Sequence, residues 1–217
     1  MNDPLSRLHR AAARLLGGVD ETLARCGAPD HHPIWPLLRS VGLLPGDAVA
    51  EVAALSLEAF QERAGLMRSH RERGTGVDDL LVAPSGWEGA AAEAAAARLE
   101  AARAGMRVIT ENAGVLAGLL GDLAEFGKQG RVRLARGLAR VLASAQAVDL
   151  SLDEVEPLVR AQAAADIGAE VLAEVAGFWA GAREIARDRL ARLEPVPVPV
   201  PDGSAAASGG GRLAVEY

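Results

Sequence analysis

Aromatic side chains are scarce, with three Trp, three Phe and one Tyr making up 3% of the 217 residues. A core of this composition is filled by Leu, Val and Ala, which suits closely approaching helices and disfavours β-sheet. There is one cysteine, Cys26, so no disulfide can form within the chain, which fits a reducing compartment. Lysine is nearly missing too: Lys128 stands alone among arginines, a preference that, with the abundant Ala and Gly, reflects a GC-rich coding background. The net charge of -6 argues against general nucleic-acid binding, which needs surplus cations to displace counterions, and leaves room for local basic patches. No apolar run reaches the roughly 18 residues of a membrane-spanning helix. Asp3, Arg7, Arg10 and Arg14 break up any signal-peptide core at the N-terminus. The expectation is a cytoplasmic protein without a transmembrane segment, exported, if at all, by a non-Sec route.

Half of the residues are apolar, enough to fill a real core, and their spacing is helical. Asp3-Pro4 predicts an N-cap with proline at the first helical position, and a first helix from Pro4 to about Arg25 carries Leu5, Leu8, Ala12, Leu15, Val19 and Leu23 on one face. Residues 27–47 hold Pro29, Pro33, Pro36 and Pro45 among Ile34, Trp35, Leu37 and Leu38, a connector that packs and has room for one short helix. A second helix is expected from an Asp47 cap through Val49, Ala53, Leu57, Phe60, Ala64 and Met67 to about Gly76. Ser85 and Glu88 have capping-box spacing, which predicts a third helix from near Gly86.

That third helix has the clearest period: Leu99, Ala102, Met106, Ile109, Ala113, Leu116, Leu120 and Leu123 alternate steps of three and four, a seam that wants a partner helix, either in this chain or in another. Gly105, Gly114, Gly118 and Gly121 cost about 1 kcal/mol each in an isolated helix, so close neighbours are expected there. Gly127 and Gly130 are expected to break or kink it. Leu134, Leu138, Val141, Ala145 and Val148 resume the pattern until Asp149. A Ser151/Glu154 capping pair then predicts a last helix to about Leu193, with Leu158, Ala161, Ala165, Leu172, Val175, Trp179, Ala182, Ala186 and Leu190 inward. The alternating Pro and Val of 195–201 and the Gly/Ser/Ala run behind them predict a flexible tail. The domain reading is 1–26 an N-terminal helix, 27–47 the packed connector, 48–194 a helical bundle and 195–217 the tail, an all-α, elongated helical bundle containing a helical hairpin.

Residues that could carry chemistry do not assemble into a mechanism. Cys26, Asp30, His31 and His32 are a poor zinc set, because adjacent histidines seldom reach one metal and no second cysteine completes it. Nucleophile-elbow, P-loop and H-E-x-x-H patterns are missing, and His9 and His70 sit in charged helical stretches that read as solvated. Glu51, Glu58 and Glu62 lack the Glu-x-x-His pairs of a di-iron bundle. No catalytic residue, cofactor or metal is therefore assigned. Arg133, Arg136 and Arg140, with Lys128 and Arg131 just before them, form a basic stripe that could meet an acidic surface.

Trp87-Glu88-Gly89 stands at a loop-to-helix junction and leads into the Ala-rich stretch 90–103. A second W-x-G, Trp179-Ala180-Gly181, lies inside a continuous helical pattern and reads as a core tryptophan. On the first motif and its placement, residues 48–123 resemble the WXG100, or ESAT-6-like, superfamily, with Trp87 and Gly89 on the family positions. The resemblance implies a helical hairpin with W-x-G at the turn, exported as a folded dimer by type VII secretion systems of actinobacteria and relatives. The family's export motif, Tyr followed four residues later by an acid, is not in this sequence, so export would rest on a partner that carries it. The implied function is non-enzymatic: a substrate or partner of such a system, with the seam through Leu99, Met106, Ile109, Leu116, Leu120 and Leu123 burying a helix of another W-x-G protein or of a second copy. The alternative is a cytoplasmic, self-associating structural or regulatory coiled-coil protein that engages an acidic surface through the Arg stripe.

Overall fold

The computed structural model describes residues 3–77, 81–82, 86, 88–152 and 155–197. Among them the chain forms seven α-helices and no strand: α1 (Pro4–Cys26), α2 (Ile34–Val41), α3 (Pro45–Ala54), α4 (Leu57–Thr75), α5 (Ala90–Leu142), α6 (Ala145–Ser151) and α7 (Pro157–Leu190). The fold is all-α. It divides into two compact units, Met1–Met67 with Val115–Arg192 and Arg68–Gly114 with Leu193–Tyr217, and the boundary crosses α4 and α5. The stretch 48–194, one bundle by its periodicity, is thus shared between two units.

In the first unit α1 buries Leu5, Ala12, Leu16, Val19 and Leu23, the face its spacing predicts, and packs it against α3 and α7. The Pro-rich connector packs as expected, with Ile34 and Pro45 fully buried, but it contains all of α2 and the first turn of α3. Its prolines mark helix starts, where a missing N–H costs nothing: Pro33 precedes α2 and Pro45 opens α3. The point of closest assembly is Gly168 on α7. A Cβ there would lie 2.7 Å from Ile34 Cδ1, 3.1 Å from Pro45 Cγ and 3.3 Å from Leu23 Cδ1, so α1, α2 and α3 converge on one missing side chain.

Several predicted boundaries move, each for a local reason. The second helix is two helices. The chain leaves α3 at Leu55 in an extended conformation, and Ser56 Oγ accepts from Ala59 N–H to start α4. Asp47 does not cap α3 but sits in its first turn; the free N–H of Gly46 goes instead to both carboxylate oxygens of Asp20 on α1, at 3.0 and 3.1 Å. Asp3 makes no side-chain cap on α1 either. The third helix begins at Ala90, four residues beyond Gly86, while Ser85 lies outside the described residues. Ser151 closes α6 rather than opening the last helix. Its Oγ donates to Val148 O, Ser144 supplies the cap of α6, and α7 opens with Pro157 at its first position; Glu154 lies outside the described residues.

Gly127 and Gly130 do not break the helix, since α5 runs through both. They are buried because side chains lie where their Cβ atoms would be: Leu57 Cδ2 is 2.5 Å from the Cβ position of Gly127, and the Phe178 ring covers that of Gly130. Gly181 on α7 receives the Phe126 ring in the same way. Within this unit α5 and α7 are antiparallel. Arg140 pairs with Glu170 and Glu174 at one end of the contact, and Arg189 pairs with Asp122 at the other. The inward line of α5 runs through Ala113, Ala117, Ala124, Gly127, Arg131, Leu134, Leu138 and Val141. From Ala113 onward it is offset by one residue from the predicted seam at 116 and 123. Small residues, not the large aliphatics, define the closest approach.

In the second unit the end of α4 and the start of α5 run antiparallel. The Arg71 side chain lies across Gly114, and the Thr110 side chain fills the space over Gly74. Gly105 is buried, and a Cβ there would lie 3.7 Å from Pro197 O, the one neighbouring backbone among the four glycines expected to have such a neighbour. Gly114 and Gly118 face arginine side chains, and Gly121 faces nothing within 4 Å. Asn112 holds the backbone of Glu194 at both groups, its Nδ2 donating to the carbonyl at 2.8 Å and its Oδ1 accepting from the N–H at 3.0 Å. Residues 193–197 are therefore fastened beyond the last helix, and 198–217 lie outside the described residues.

No single helix among the described residues is long and apolar enough to cross a membrane. The pair Ile34–Val41 and Pro45–Thr75 passes together on composition, but it bends by 42° at its break, and Ile34, Pro45, Val49 and Val52 on it are fully buried in the first unit.

Candidate functional site

Gly89 is the last residue before α5, and its backbone has φ +96, a conformation that residues with a side chain rarely adopt. Its carbonyl accepts from Ala92 N–H at 2.9 Å and Glu93 N–H at 3.1 Å, so it is the turn from which the longest helix starts. Gly86, three residues earlier, also has positive φ, at +80. Trp87 lies outside the described residues. The glycine of W-x-G therefore has a backbone task of its own.

The predicted seam splits. Leu116, Leu120 and Leu123, in the first unit, are half-buried beside the small-residue line. In the second unit Leu99 and Met106 are half-buried, Ala102 is exposed and Ile109 is 47% exposed. On that stretch of α5 the aliphatic side chains are left without full cover by the described chain.

The basic stripe is largely engaged inside the first unit. Arg140 binds Glu170 at 3.0 Å and Glu174 at 3.1 Å, and these hydrogen bonds, Glu170 first, hold its guanidinium above its ordinary pKa. Arg133 stacks over the Phe126 ring at 5.4 Å, Lys128 lies 3.9 Å from Glu125, and Arg136 is exposed. Arg131 is a structural bolt, 9% exposed. It donates from Nη2 to Ala53 O and from Nη1 to Leu55 O, satisfying the carbonyls at the end of α3. Its Nε lies 3.0 Å from Asp3 Oδ2, an ion pair whose N–H points off the line, so neither buried atom completes a hydrogen bond there. Sequence spacing could not separate this residue from its solvated neighbours; its position on the inward line could.

His32 is structural as well. Its Nδ1 accepts from Ile34 N–H at 3.2 Å, which leaves Nε2–H to donate to Asp166 Oδ1 at 3.0 Å and ties the start of α2 to α7. Both ring nitrogens are thereby occupied. Cys26 is exposed, and no group of three His, Cys, Asp or Glu among the described residues could hold a metal ion.

The most exposed apolar residues include two that the spacing placed on packed faces, Leu158 and Val148. Val148 (57%), Leu152 (51%), Leu158 (74%) and Val159 (44%) lie on α6, just after it, and on the first turn of α7. An open groove of about 370 Å³ runs between α6 and α7, with Leu158, Val159 and Ala163 along it and Asp149 and Asp166 on its rim. A signal existed, since apolar residues recur at 148, 150, 152, 155, 158 and 159, more than one helical face can bury. In comparisons with known proteins, no family model, curated protein or solved structure matches the chain.

Proposed function

We propose that the chain is a non-enzymatic helical binding protein, a WXG100-like substrate or partner of a type VII secretion system, which acts by packing its α5 seam against a helix of another W-x-G protein. The observation that carries the reading is the W-x-G turn. Gly89, with its positive φ, starts α5, and the end of α4 runs antiparallel to the start of α5, which supports a hairpin of the kind the resemblance implies. The partly bare seam of the second unit agrees with it. Leu99, Met106 and Ile109 need cover that a second helix would give, and burying Ile109 alone would contribute on the order of 1 kcal/mol. The chain supplies the surface and no chemistry. The Arg-stripe alternative is disfavoured by the engagement of Arg140 and the burial of Arg131.

The test is solution mass by light scattering, for the chain alone and after co-expression with small W-x-G proteins encoded beside it. A stable complex that is lost with Ile109→Asp is the expected result. A monomer that captures none of them would sink the reading.

A further inference from the structure

The groove between α6 and α7 offers a second surface, independent of the α5 seam. Two large aliphatic side chains at the start of α7, Leu158 (74% exposed) and Val159 (44%), line it side by side. Exposed aliphatics scattered singly need no explanation, but a cluster beside a groove marks an interaction site. The charges around it have one sign. Two acids, Asp149 and Asp166, line it, with no base among the lining residues. Arg160 donates to Leu152 O at 2.6 Å, and Asp166 takes hydrogen bonds from the neutral donors His32 Nε2 and Gln162 Nε2, with its side chain still 39% exposed.

We infer that this groove docks a basic amphipathic helix of a partner protein, its aliphatic stripe on Leu158 and Val159 and its Lys or Arg residues against Asp149 and Asp166. The shape is that of helix-in-groove recognition, in which anchors at i, i+3/i+4 and i+7 enter an apolar trough. The acidic rim selects the occupant. It repels an anionic bilayer and a second copy of the same acidic surface, and it steers a cationic helix into register.

The probe is a labelled fourteen-residue Leu/Lys peptide with leucines at helical spacing, titrated by fluorescence anisotropy against the full chain, with a scrambled peptide of equal composition as control. Binding of the ordered peptide at least tenfold tighter than of the scrambled one is expected, with hydrogen-exchange protection appearing at 145–166. The double variant Leu158→Ser/Val159→Ser should bind at least tenfold more weakly with unchanged helical circular dichroism. Asp149→Asn should weaken binding severalfold and flatten its salt dependence. Equal binding of both peptides, no binding, indifference to the serine variants, or protection elsewhere would each overturn the proposal. So would self-association, or retention on zwitterionic vesicles, that the serine variants abolish, because the groove would then belong to a second copy or to a bilayer. Ile109→Asp leaves this binding intact, which separates failure here from failure of the secretion reading.

Discussion

The two halves of α5 are held as helix by different means. Over 90–114, eleven of 25 residues are Ala, and only Gly105 and Ala113 are buried. Over 115–142 there are five glycines and four alanines, yet Ala117, Leu119, Ala124, Gly127, Gly130, Arg131, Leu134, Ala135, Gly137, Leu138 and Val141 are all buried. Alanine needs no neighbours to stay helical, and glycine does. The first half owes its conformation to intrinsic propensity, with local pairs such as Glu100 with Arg103 and Arg107 in support; the Arg107 and then the Arg103 hydrogen bonds hold the Glu100 carboxyl below its ordinary pKa. In the second half, tertiary packing overrules poor propensity. A helix can therefore be regular along its whole length while its stability comes from the sequence in one place and from the fold in another.

The strongest way to break that contrast is Arg131→Met. It deprives the carbonyls of Ala53 and Leu55 of their donors and Asp3 of its counter-charge, and should cost about 3 kcal/mol in urea unfolding. Next is Gly130→Ala. Its Cβ would enter the Phe178 ring, so overpacking of about 1–3 kcal/mol outweighs the roughly 1 kcal/mol of added propensity, for a net loss of about 1 kcal/mol. Gly121→Ala, in the same half but with nothing within 4 Å, should stabilise by up to about 1 kcal/mol in the same assay. Opposite signs for the two glycines would show that packing decides; equal signs would dissolve the distinction. In the first half, Ala97→Gly at an exposed position should lower hydrogen-exchange protection around it by about 1 kcal/mol and leave the protection of 115–142 unchanged.

The smallest effect tests a contact outside α5. Half-burial beneath α3 pushes the Asp20 carboxyl above its ordinary pKa of 3.8; the Gly46 N–H bond opposes this and Asp47 adds to it. The native state then binds the proton more tightly than the unfolded chain does, so the stability Asp20 contributes is full at low pH and is lost as pH rises from 3.8 through the raised value. In Asp20→Asn that slope is absent. The urea midpoint of this variant should therefore gain on the wild type as pH rises above about 4, and a constant difference would refute the assignment.

Periodicity made the helices legible, and α1 lies where its Asp-Pro start and its apolar face put it. Reading large aliphatics as the packed line was less successful. It set the seam of α5 one residue aside after Ala113, because the surface that allows the closest approach is made of residues with almost no hydropathy signal. Breaks were misread for a related reason: Gly127 and Gly130 look like interruptions, while Leu55-Ser56 and Ala143-Ser144 look like continuation. A glycine under a Phe ring is a packing element, and an extended Leu whose carbonyl is capped by an arginine 76 positions away carries no local mark. The loop-to-helix junction was visible at Gly89; the groove of α6 and α7 was visible only as an excess of apolar positions that no single face could absorb.

Asn112 carries a consequence for how the chain tolerates change. Its amide meets Glu194 through that residue's N–H and C=O, the two groups that every amino acid except proline possesses. The clasp is thus deaf to the letter at 194 and strict about the letter at 112. In a saturation scan, position 194 should accept nearly any replacement but Pro, whereas position 112 should accept almost none, even though both are points on the same pair of bonds. Sequence drift would erase one end of this fastening and leave its structure intact.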